Sequence, residues 1–354
     1  PLSAQEARLY AQYRLYPDSL AYLLEMDFPL PAGIGAEAVA AALQGLLARH
    51  DILRTRYRVD REGIPYAEVQ PELPVEQVLL DEARWQSVQA QAMALEHGPL
   101  LRGCLLQTDA GAQLRLQVHH ILVDEPAMII LQQEFEQLLR GEPLPPVGLS
   151  YRRYALALAQ ARELPLWQTA QTFWQQTLQG LEFDPFGHGA VEAGGQMGSV
   201  GWTLSADEQA GARRLCASLN LTPATFFLAL WGLVVARESG RSAFSISVAN
   251  AYGSRQGLST VGMFVALAPC AFRFGQGDQP FADYARQLAD AQWQVMDQLF
   301  YPVEEVFPLL ADDPRRFGSN PLLNIAYSYL EGAEADASHA PDFAIEAQGP
   351  LSLA

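Results

Sequence analysis

The chain is short of charge, of cysteine and of any long apolar run, and each shortage removes a class of protein. Charged residues make up only 18% of its 354 residues, while hydrophobic residues reach 49%. The usual charged share of a soluble chain is about 25%, so much of this sequence is interior and intrinsic disorder is excluded. Positive charge is the scarcer sign: 23 Lys plus Arg stand against 40 Asp plus Glu, a net charge of −17. A broad basic face for a polyanion is therefore missing, and no nucleic-acid partner is expected. The longest apolar run, Phe226 to Ala236, has eleven residues with Gly232 among them, against the roughly 20 that a membrane-crossing helix needs. No basic, then apolar leader opens the chain, so no membrane partner and no export are expected, and the cytoplasm is the expected location. Cys104, Cys216 and Cys270 are far apart and odd in number. They fit neither a zinc site nor a disulfide framework, so they read as buried small hydrophobes, and no metal site is expected.

The length allows two domains or one two-lobed unit. The start at Pro1 and the strand-like end at Leu351 to Ala354 read as those of a piece of something longer. Val39, Leu43, Leu46 and Leu47 predict a helix over 35–50 behind Gly33 and Gly35. Alternation then predicts a strand over 52–59, with Arg54, Arg56 and Arg58 on one face. A second strand over 113–118 turns Leu114, Leu116 and Val118 inward and Gln113, Arg115 and Gln117 outward. It runs straight into His119-His120. After Asp124-Glu125, Pro126 suits the first turn of a helix that Arg140-Gly141 ends. Pro143, Pro145 and Pro146 make a stiff linker. A helical span over 151–180 follows, and a glycine-rich loop over 183–201 separates the halves. The second half predicts helices over 207–219, 223–238 and 281–299 and strands over 243–249, 263–274 and 322–330. Helices and strands alternate throughout, so the fold class is α/β in two lobes of similar size.

The chemistry-bearing segment is His119-His120-Ile121-Leu122-Val123-Asp124. A histidine where a strand gives way to a loop can turn one ring nitrogen to a cleft while backbone holds the other, as a general base requires. Asp124 either pairs with an arginine such as Arg54 or Arg273, bracing the loop, or serves as a helix N-terminal carboxylate. Without further context, structural roles for the two histidines stand beside the catalytic one, and His50 and His97 read as structural.

The sequence at this point resembles the condensation domains of nonribosomal peptide synthetases, whose signature is His-His-x-x-x-Asp-Gly. His119, His120 and Asp124 supply three of its four fixed residues. Leu2-Ser3-Ala4-Gln5 with Leu9-Tyr10 resembles the family's opening motif, and Arg49-His50-Asp51-Ile52-Leu53-Arg54-Thr55 its Arg-His-Glu-x-Leu-Arg-Thr. Val261 to Val265 is similar to a Gly-x-Phe-Val core, Tyr301-Pro302-Val303-Glu304 to Tyr-Pro-Phe-Glu, and Ser319-Asn320-Pro321-Leu322 to Arg-Asn-Pro-Leu. Six matches in the family's order are far more specific than one histidine pair.

The resemblance implies two chloramphenicol-acetyltransferase-like lobes in a V with a tunnel between them. The first lobe, 1–170, would carry the histidine motif. The second, 171–354, would be incomplete, because the family continues with further strands and a final helix. It also implies donor and acceptor carrier proteins as partners, substrates on their phosphopantetheine arms, no tightly bound cofactor, and amide or ester formation. By similarity the catalytic motif is His119, His120 and Asp124. His120 either takes the proton of the attacking group or orients it, and His119 is structural. Glu125, Gly262 and Ala266 fall on the substrate-tunnel or acceptor side. Three positions depart from the pattern: Glu125 replaces the signature glycine, Ala266 the Asn after Phe-Val, and Arg153 the Asp of Tyr-x-Asp-Tyr. The other readings are an epimerisation or cyclisation relative and a catalytically silent recruitment module. The intact histidine pair counts against cyclisation. A plant-type acyl-CoA-dependent acyltransferase would carry an Asp-Phe-Gly-Trp-Gly that this chain lacks.

Overall fold

The computed structural model describes residues 1–108, 111–187, 200–201, 203–251, 260–275, 278–310, 324–329 and 344–345. The Ser319 to Leu322 motif, most of the 183–201 loop and the terminal Leu351 to Ala354 lie outside the described residues. The fold is α/β and divides into two compact units, Pro1–Leu164 with Ala251–Val265, and Pro165–Asn250 with Ala266–Ala354. The second unit thus begins six residues before the expected 170/171 boundary, and Ala251–Val265, expected in the second lobe, belongs to the first. Residues Val261, Met263 and Phe264 are buried in the first unit's core, which is why the segment groups there.

In the first unit α1 (Ala4–Leu15) opens on a capping box in which Ser3 and Glu6 satisfy each other's backbone amides. After it come β1 (Leu23–Pro29), α2 (Ala36–Arg49), and a hairpin of β2 (Thr55–Val59) and β3 (Pro65–Val69). Then follow β4 (Leu79–Leu80), α3 (Glu82–Val88), β5 (Leu101–Thr108), β6 (Gly111–His119), α4 (Glu125–Leu139) and α5 (Tyr151–Ala161). The sheet order is β1-β6-β5-β4. Antiparallel register sets Leu23 opposite His119 on one side, and Leu101 opposite Val118 on the other. β6 is therefore central. It buries Leu114, Leu116 and Val118 as its alternation requires. Gln117, expected outward, is buried too, because its amide bridges Glu25 and the Gln89 carbonyl while accepting from Arg102.

The expected strand over 52–59 starts only at Thr55. Residues Asp51–Arg54 form a 3₁₀ turn instead, held by Arg54, whose guanidinium donates to the carbonyls of Leu47 and Ala48 at the end of α2 and of Gln70 and Pro71. Local alternation loses there to the satisfaction of helix-end carbonyls.

The second unit holds α6 (Pro165–Leu178), β7 (Val200–Gly201), α7 (Ala206–Leu219), α8 (Pro223–Ser239), β8 (Ala243–Ala251), β9 (Val265–Arg273), α9 (Phe281–Met296), β10 (Ala326–Tyr327) and β11 (Ala344–Ile345). The span expected as one helix over 151–180 is two, because Pro165 cannot continue a helix and restarts one. Sheet order is β10-β8-β9, with β10 parallel to β8, and β11 pairs with β7. In the unit's core Phe244 stacks on Phe272 with centroids 5.3 Å apart and planes 5° from parallel. No single described helix is long and apolar enough to cross a membrane.

Candidate active site

β6 delivers its last residues to a loop that is a loop by hydrogen bonding but core by burial. His119 N donates to Leu100 O at 2.9 Å and His120 N to Tyr22 O at 2.7 Å, completing the ladder on both sides. The chain then folds back, Leu122 N on His119 O at 3.0 Å and Val123 N on His120 O at 3.3 Å. Ile121, Leu122 and Val123 are wholly buried. Three apolar anchors remove the mobility that a surface turn would have.

Asp124 closes the loop. One carboxylate oxygen, Oδ1, accepts from Ala127 N at 3.0 Å and so caps α4. The other, Oδ2, accepts from Phe264 N at 2.8 Å and Val265 N at 3.0 Å. The residue is 1% exposed. Burial pushes its carboxyl up from the usual range, while the three backbone amides and His120 pull it back. Three donors and no acceptor fit the ionised form. Neither expected arginine is its partner: Arg54 is spent on backbone carbonyls as described, and Arg273 donates to Thr177 O and Gln179 O in the second unit. Backbone amides replace the guanidinium because they are already aimed at the carboxylate and bring no desolvation cost of a second buried charge.

The two histidines differ in kind. His119 is 4% exposed, and its Nδ1 accepts from Ile121 N at 3.1 Å, which places its proton on Nε2. Burial, with His120 beside it, pushes its pKa down to about 4. It is neutral at pH 7. His120 is half-buried, and its Nδ1 lies 2.7 Å from Val123 O. A carbonyl only accepts, so Nδ1 carries the hydrogen and Nε2 keeps its lone pair. A half-exposed imidazole with that tautomer can take a proton at Nε2.

The remaining candidates separate. Glu125 is exposed at the first position of α4. Ala266 is buried near the start of β9. Gly262 has a packing reason: a Cβ there would overlap the ring of Tyr151. Tyr151 by itself is enough to require a glycine there. His50 is structural, its Nε2 2.6 Å from Glu134 Oε2, which Arg49 also holds. The cysteines are free and buried. Among the described residues no group of three or more His, Cys, Asp or Glu is placed to hold a metal ion.

A buried polar cluster beneath the loop escaped the sequence reading. The Glu6 carboxylate accepts from Tyr57 OH at 2.7 Å and from Ser3 N at 2.8 Å, and pairs with Arg152. Tyr57 OH also reaches Ile121 O at 3.4 Å. The one legible signal was the Ser3-x-x-Glu6 spacing of a capping box. The amides of Phe264 and Val265 carried none, since every residue but proline has one.

Known proteins share this sequence pattern and this fold. A family model described as "Condensation domain" matches residues 1–346. Tyrocidine synthase 2 of Brevibacillus parabrevis is 26% identical over 343 residues, covering 92% of this chain and 9% of its own length. Bacitracin synthase 3 of Bacillus licheniformis is 24% identical over 348 residues, covering 95% of this chain and 5% of its own. The chain thus spans a small part of the relatives it matches. Among solved structures, the condensation domain from Monacolin K polyketide synthase MokA superposes with a TM-score of 0.75 at 17% identity, over 89% of this chain and 76% of that one.

Proposed function

This chain belongs to the condensation-domain family, and from that premise we propose that it transfers an acyl group from a carrier-bound phosphopantetheine thioester to an amine or hydroxyl acceptor. The observation that carries the reading is the bond from His120 Nδ1 to Val123 O, which leaves Nε2 as the acceptor nitrogen on a half-exposed ring. The acceptor nucleophile attacks the thioester carbonyl and gives its proton to Nε2. The tetrahedral intermediate then collapses, the C–S bond breaks, and the leaving sulfur recovers a proton from the imidazolium. A neutral imidazole suits this near pH 7, and holding two substrates in line supplies on the order of 7 to 11 kcal/mol at best. His119, neutral and buried, supports the turn. Asp124 holds the loop and the start of α4 without touching substrate.

Donor and acceptor carrier proteins are the partners under this reading, and no tightly bound cofactor is required. The test loads a donor and candidate acceptors on carriers, mixes them with the full-length protein, and reads the product by intact-protein mass spectrometry. Carrier-dependent transfer that His120→Ala lowers about 10²-fold or more is the expected result. Transfer that needs neither carrier would overturn it.

A further inference from the structure

Tyr151 takes no part in the proton transfer above, yet it touches all three residues that lead into the Asp124 anchor. Its ring is wholly buried and occupies the space a side chain at Gly262 would need. It meets the Phe264 ring edge-on at 5.0 Å. Its hydroxyl donates to Met263 O at 2.5 Å, and Ser3 Oγ, 2.8 Å away, supplies the hydrogen of the second bond.

Met263 O and Phe264 N are the two ends of one peptide group. That group is planar and rigid, so Tyr151 grips one end and Asp124 Oδ2 the other. A shift of the carbonyl is a shift of the amide. Asp124 in turn follows Val123, whose carbonyl orients His120. Hydrogen bonds in such a chain also polarise one another. The geometry points to Tyr151 as a positioning residue for acyl transfer, acting through the Met263–Phe264 peptide on Asp124 and thereby on the orientation and tautomer of His120. The inference rests on the reading of His120 as the base.

The test is Tyr151→Phe in the full-length protein, which keeps the ring against Gly262 and removes only the hydroxyl. The expected result is a folded variant whose kcat falls about tenfold or more with KM for the carrier substrates within about twofold. The ¹⁵N resonances and titration of the His120 ring move with it. Ser3→Ala, which leaves the Tyr151–Met263 bond in place, keeps the parent kcat and the parent His120 titration. A Tyr151→Phe protein whose kcat or whose His120 resonances match the parent overturns the inference. If Tyr151→Phe does not fold, 3-fluorotyrosine at position 151 keeps the shape and strengthens the donor. His120 resonances that move then support the inference, and unmoved ones overturn it. Failure of the underlying reading looks different: His120 resonances respond to Tyr151→Phe while His120→Ala leaves transfer at the parent rate.

Discussion

Both units have apolar cores, and they differ in what else they bury. Among the described residues, every buried charged side chain and both buried histidines lie in the first unit: Glu6, His50, Arg102, His119, Asp124 and Glu134. Among the described residues the second unit buries Thr225, Ser245 and Ser247, and its core combines Leu228, Val235 and Ile246 with Phe244, Phe272 and Tyr284. Apolar burial is non-directional, whereas a buried hydrogen-bonded charge also needs its partners at set positions. The unit that accepts this desolvation is also the one that carries His120.

The largest effects break this contrast at its centre. Glu6→Ala leaves the half-buried Arg152 without its carboxylate and Tyr57 without its carboxylate acceptor, and is expected to cost about 3 kcal/mol in denaturant unfolding, with transfer falling too because Tyr57 reaches the His119–Asp124 loop. Phe272→Ala in the second unit should cost a similar 3–5 kcal/mol by emptying the Phe244 stack. The contrast is sharpened if its effect on transfer follows only the folded fraction, and broken if transfer falls further than that.

Next comes pH. His119 has its pKa depressed to about 4 in the folded chain, against about 6.5 unfolded. The unfolded state then binds more protons between those values, so this contribution is complete above about pH 6.5 and is lost as pH falls to about 4, about 3 kcal/mol in all. His119→Gln should flatten that part of the stability curve. A parent-like slope in the variant would assign it elsewhere.

His120→Ala is expected to lower transfer about 10²-fold or more, equivalent to about 2.7 kcal/mol of barrier, with a far smaller loss of melting stability. Equal losses would make His120 a structural residue of the first unit.

The smallest effect belongs to Glu125. It is exposed at the start of α4, where the positive end of the helix dipole stabilises a carboxylate by a few tenths of a kcal/mol. Glu125→Gly should leave stability nearly unchanged. A shift in acceptor preference or in the pH dependence of transfer would make Glu125 part of the site; parent values for both would leave it a helix-start residue.

The Val39 to Leu47 stripe, the alternation of β6, Pro126 and the glycine after Arg140 are local patterns, and local patterns carry period, caps and stops. They determined the α/β class, the strand-to-helix order around His119-His120, and the Asp124 N-cap. The motif order carried the family. What tertiary structure alone decided is who meets whom. Asp124 finds the amides of Phe264 and Val265, 140 and 141 residues away, rather than Arg54 or Arg273. The same long-range packing moves Ala251–Val265 into the first unit. That Gly262 lies against the ring of Tyr151 is likewise visible only in the folded chain. Backbone donors are the same at nearly every position, and a buried charge chooses its partner by proximity in the folded core, so the pairing is a property of the packed chain and has no signature in the order of side chains.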